Sequence, residues 1–194
     1  MNKMMNSNYS EYSSGLSSFQ DQSTSDTQKF SQPTLKQDII NIPDDGRYSV
    51  FDIANWFLSK EPMTQKKLQK LCYYAQAWCY TLNDYRLMDT TFEAWIHGPV
   101  SPPLYDKFKN FGYNSIRLVG KYNANIDDAD VELLESVWET YGDHTGNALE
   151  ALSHSEPPWI EARAGYAPDE RCNVPISVDS MKKYYASIYL GGDS

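Results

Sequence analysis

Three histidines, His97, His144 and His154, and three cysteines, Cys72, Cys79 and Cys172, have the widest chemical range of any side chains in this 194-residue sequence. A metal site is the first chemistry to consider. Cys72 and Cys79 lie in one helical stretch, where ~1.5 Å of rise per residue separates them by ~10 Å, too far for a shared ion or a disulfide. The remaining His and Cys spacings match no ligand pattern, so neither a metal nor a cofactor is expected. Nucleophilic catalysis needs a nucleophile, a base and a group that orients the base. Ser101, Ser153 or Cys172 with a histidine supplies the residue types, yet no GxSxG, P-loop or HExxH pattern surrounds them. The expectation is a protein that works by binding and is not an enzyme.

Two short motifs are the candidate contact points. In the first, Trp95 stands beside His97, Gly98, Pro99 and Val100. Glycine permits a close backbone approach and proline fixes φ, so the motif reads as a tight turn; the same turn, rigid and flanked by an aromatic, also suits contact with a partner. In the second, His154 precedes Glu156, Pro157, Pro158 and Trp159, and is expected to lock its turn by a hydrogen bond to a backbone carbonyl or a side chain. Lys60, Lys66, Lys67 and Lys70 form the one basic cluster. It reads as a solvated helix end that opposes the helix dipole, with carboxylates such as Asp84 or Glu93 as partners.

These residues must be positioned by helices. Ser49 starts a helix over about 50–59, Pro62 stops it, and Thr64 caps the next, in which Leu68, Leu71, Cys72, Ala75, Cys79 and Leu82 recur at three- and four-residue steps. With Tyr73, Tyr74, Trp78 and Tyr80 as well, that helix is apolar nearly all round and should be central to the core. Residues 91–96 read as a short strand with 115–119 as its partner. Ser101 before Pro102 and Pro103 opens a short helix. Asp127 or Asp128 starts a helix ended by Gly142, Thr145 to Leu152 forms another, Trp159 to Arg163 makes about a turn and a half, and Ser177 caps the last. The expected fold is mainly α: six or seven helices with a short two-stranded β element.

Composition sets the limits. The formal charge of −9 disfavours nucleic acid and anionic lipid, both of which are held by Lys and Arg, and it points to a basic partner. No run of 18 apolar residues and no signal-peptide pattern occurs, so a cytoplasmic, non-membrane protein is expected. Residues 1–47, dominated by Ser, Asn, Gln, Thr and Asp, read as a disordered polar tail, with 48–194 as the folded domain.

Three motifs now stand in order: Lys67-Leu-Gln-Lys-Leu-Cys-Tyr-Tyr-Ala-Gln-Ala-Trp78, Phe92-Glu-Ala-Trp-Ile-His-Gly-Pro-Val100 and Leu152-Ser-His-Ser-Glu-Pro-Pro-Trp159. Together, over about 48–190, they resemble the Panacea domain of SocA-like antitoxins and phage-associated proteins. The resemblance implies an antitoxin that neutralises the toxin encoded next to it by direct contact. Its alternatives are an adaptor that delivers the toxin to a protease, and a DNA-binding regulator built on the first two helices. The shared place of His97, His154 and Trp159 in the motifs further implies that these three side chains brace one another.

Overall fold

The computed structural model describes residues 46–191 except 121 and 123, so the expected tail lies outside the described residues apart from its last two positions. Seven α-helices are seen among the described residues: α1 (Val50–Lys60), α2 (Gln65–Asn83), α3 (Pro102–Phe108), α4 (Asp128–Tyr141), α5 (Gly146–His154), α6 (Pro157–Ala162) and α7 (Val178–Tyr189). None of them is long and apolar enough to cross a membrane.

Local signals explain most helix starts. The Ser49, Thr64, Thr145 and Ser177 hydroxyls each accept a backbone N–H of the first helical turn, satisfying a donor that the helix itself cannot. α3 and α6 begin differently, on the proline pairs Pro102-Pro103 and Pro157-Pro158, whose fixed φ suits a first turn and whose missing N–H costs nothing there. α6 therefore starts two residues before the expected Trp159. Asp84 ends α2 in the left-handed conformation, at φ 59°.

α2 is the central element. It packs against α1, α3, α4, α5 and α7, and every residue from Leu68 to Cys79 is buried. Its aromatic residues carry much of the packing: Tyr74 stacks on Tyr141 of α4 with centroids 4.0 Å apart, while Tyr73, Tyr74 and Trp78 all meet the Tyr185 ring of α7. Leu82, expected on the inward stripe, is instead 40% exposed near the C-terminal end of the helix.

The strands pair differently from expectation. β2 (Glu93–Trp95) turns back directly onto β3 (Gly98–Val100), in antiparallel register with Trp95 opposite Gly98 and Glu93 opposite Val100. Residues 115–116 form β4, whose partner is β1 (Met63–Thr64) at the entrance to α2. The local hairpin wins because its turn closes at once, whereas 115–119 would have to reach across α3.

Candidate functional site

The β2–β3 hairpin is held from all sides. Its outer edge pairs with the loop before α7, through Ala94 N–H to Val174 O and Ile176 N–H to Phe92 O. On the other side α2 acts through side chains: the Gln69 amide accepts the Ser101 N–H at 2.8 Å and donates to Ser101 O at 3.2 Å, reproducing a strand's pair of bonds. Lys70 Nζ donates to Pro99 O at 3.1 Å. From α6, Trp159 Nε1 donates to Trp95 O at 3.0 Å, and just beyond it Arg163 donates to Ala94 O at 2.9 Å. Gly98 is required twice over: its φ is +94°, and a Cβ there would lie 2.6 Å from Lys70 Cε and 2.8 Å from Ser153 Oγ.

The histidines behave unequally. His154 lies flat on Trp159, with centroids 3.9 Å apart and planes 14° from parallel, and its Nε2 is buried with no hydrogen-bond partner. The ring packs by stacking, and the hydrogen bond expected of His154 is not made by its Nε2. Burial pushes its pKa below the ordinary imidazole value; Glu150 opposes the shift, and Lys70, His97 and Arg163 add to it. His97 is exposed at the hairpin turn and pairs with Glu150 Oε1 at 2.8 Å, one turn of α5 before His154. The expected brace is thus the His154–Trp159 stack, with His97 joined to it through α5 rather than by the stack itself.

Between the hairpin, the first turns of α2, the end of α3 and the start of α5 lies a groove of about 840 Å³, within the range of ligand-sized clefts. Trp95, His97 and Val100 line it, Gly98 and Pro99 belong to the same hairpin, and Trp159, stacked on His154, supports it through its bond to Trp95 O. The Trp95 and Tyr105 rings meet edge to face at 4.9 Å on one wall, and Tyr113 is 95% exposed at the mouth. Lys66, Gln69 and Lys70 supply the α2 wall. A fixed aromatic wall beside polar donors is an arrangement suited to gripping a polypeptide.

Residues 68–160 match the family model of the antitoxin SocA-like, Panacea domain. That span, 93 of the 194 residues, is similar to the SocA-like Panacea domain. No curated protein and no solved structure matches the chain. All the motif residues that shape the groove wall and its support fall within the matched span, whereas α1 and α7, which complete the packing around α2, lie outside it.

The folded domain also uses residues that its sequence hides. Lys70 is 1% exposed rather than solvated, and burial pushes its ammonium down to about 7, partly offset by Glu150. Lys67 is buried as well and donates to Gly142 O and Glu61, while Lys60 pairs with Glu135 and Lys66 with Glu150. The expected partners are engaged elsewhere, Asp84 by Lys182 and Glu93 by Trp95 Nε1. A signal was available: Lys70 precedes Tyr73, Tyr74 and Ala77 by three, four and seven residues, so it shares their buried face. Glu156 is hidden by its place between a turn and a proline pair. Its carboxyl is buried, accepting Tyr74 OH at 3.3 Å and Tyr185 OH at 2.7 Å, and burial pushes it up to about 7 against those two bonds. Asp130 of α4 is fully buried too, taking bonds from Tyr48, Tyr85 and Arg47 that tie residues 47–48 to the domain. Among the described residues no three His, Cys, Asp or Glu side chains are grouped to hold a metal ion.

Proposed function

We propose that this protein is an antitoxin that neutralises a toxin encoded beside it by direct protein–protein binding, with no catalytic turnover of its own. The observation that carries this reading is the match of residues 68–160 to the antitoxin SocA-like Panacea domain. The groove gives that reading a physical basis. Inhibition by contact needs a preformed surface with aromatic anchors, and a preformed surface loses little conformational entropy on binding. The hairpin wall carrying Trp95 is fixed by bonds from α2, by α6 and the arginine beyond it, and by the loop before α7.

The test is co-expression. The product of the adjacent reading frame is induced alone and together with this chain, and growth is followed. Growth arrest lifted by the wild-type chain, and lifted less by the Trp95→Ala variant at equal soluble abundance, is the expected result. Growth unaffected by the neighbour, or arrest that this chain does not relieve, contradicts the reading.

A further inference from the structure

The groove's charge is opposite to that of the molecule. The chain carries 26 acidic and 17 basic residues, yet the charged side chains that line the groove are Lys66, Lys70, Lys109 and Arg171, with His97 beside them and no Asp or Glu among the described residues of the lining. Three carboxylates adjoin the lining and each is already engaged, Glu150 by Lys66 and His97, Asp106 by Lys109 and Glu93 by Trp95 Nε1. Arg171 bonds Asn173, a neutral amide, and Lys70 donates to Pro99 O, which leaves further N–H donors on an ammonium that has three. Placing a cation in a wall where it is 1% exposed opposes folding, and Pro99 O with the field of Glu150, a carboxylate that Lys66 and His97 already engage, offsets this only in part. An anionic occupant would offset the rest.

We infer that the segment of the partner protein seated in this groove is acidic, with a carboxylate in the field of Lys66, Lys70 and Arg171 and an apolar or aromatic side chain on Trp95 and Tyr105. This rests on the reading above that the partner is a protein; it reverses the expectation, drawn from net charge alone, that the partner is basic. Charge at the contact surface, not the total, sets the local preference, because fields from distant acidic residues are screened within about 8 Å at physiological ionic strength. Burial holds the Lys70 ammonium near 7, and a partner carboxylate would draw it back to the charged form.

The experiment uses the full chain and two capped hexapeptides, Glu-Trp-Glu-Leu-Glu-Glu and its uncharged counterpart Gln-Trp-Gln-Leu-Gln-Gln, with affinity read by fluorescence anisotropy. The acidic peptide is expected to bind about tenfold more tightly at low salt, and the gap is expected to close as salt rises. The double variant Lys109→Gln with Arg171→Gln, at two rim positions away from the core, should cut acidic-peptide affinity several-fold and leave the melting temperature in place. Equal affinity for the two peptides, no binding of either, or no loss in the double variant overturns the inference. Inorganic phosphate displacing the acidic peptide as well as unlabelled peptide does would also overturn it, in favour of a small-anion site. Capture of the neighbour-encoded protein separates the two readings. If wild type and double variant capture it equally, the acidic-segment inference fails and the antitoxin reading stands; if wild type does not capture it, the antitoxin reading itself fails.

Discussion

Glu156 is a carboxyl group with two phenols for neighbours and almost no water, and Lys70 is an ammonium buried nearly as completely on the same central helix that supplies one of those phenols. Their environments act in opposite directions on stability. Glu156 is raised from 4.5 to about 7 in the folded chain, so the folded state holds its proton over a pH range where the unfolded chain has lost it. Stability from this group is fully present below pH 4.5 and is lost as pH rises through 7, a contribution of about 3–4 kcal/mol at ~1.4 kcal/mol per pH unit. Glu156→Gln keeps the shape and removes the titration. Relative to wild type, the variant should gain about 2–3 kcal/mol between pH 5 and pH 8 in urea unfolding; a pH-independent difference would contradict the burial account. Lys70 is lowered from 10.5 to about 7, so it opposes folding most below pH 7 and ceases to do so as pH rises toward 10.5. Wild type should therefore gain stability over that range relative to Lys70→Met, and urea midpoints at pH 7 and pH 9.5 would show it.

At the scale of elements, the hairpin is the part most exposed to a single change. Gly98→Ala places a methyl group 2.6 Å from Lys70 Cε at φ +94°, and Gly165→Ala meets the same backbone strain at φ +90° with open space around it. The first should cost roughly 2–4 kcal/mol and the second about 1–2 kcal/mol, both measured by chemical denaturation. Equal losses would mean that the close approach to Lys70 is not felt. What sequence made legible here follows the range of each interaction. The helix starts at Ser49, Thr64 and Ser177 and the central place of α2 were readable because each depends on residues within a few positions of one another, whereas Thr145, read as the first residue of its helix, is its cap. The partner of 93–95 was not, because strand pairing is decided by which segments the fold brings alongside; the helical spacing of Lys70 from Tyr73, Tyr74 and Ala77 hinted at its burial, but what covers the Lys67 and Lys70 face, α4, α5 and the hairpin, was not readable. At the site, Trp95 and His97 were legible as a rigid aromatic turn. The groove itself was not, since Tyr105, Tyr113 and Arg171 reach it from segments far apart in sequence.

At the scale of the whole molecule, an acidic chain presents a cationic groove whose back wall is a hairpin held from several sides. The remote negative charge and the local positive charge act at different stages of an encounter, the first on approach over a Debye length and the second on contact. A partner bound there should meet little rearrangement of the hairpin, so affinity should depend on the aromatic anchors. The most direct measurement is calorimetric titration of the full chain with the purified product of the adjacent reading frame, for wild type and Tyr105→Ala. A saturable complex of fixed stoichiometry, weakened about tenfold or more by the loss of the Tyr105 ring, is the predicted result. Absence of a complex, or a complex indifferent to that ring and to Trp95→Ala, would contradict it.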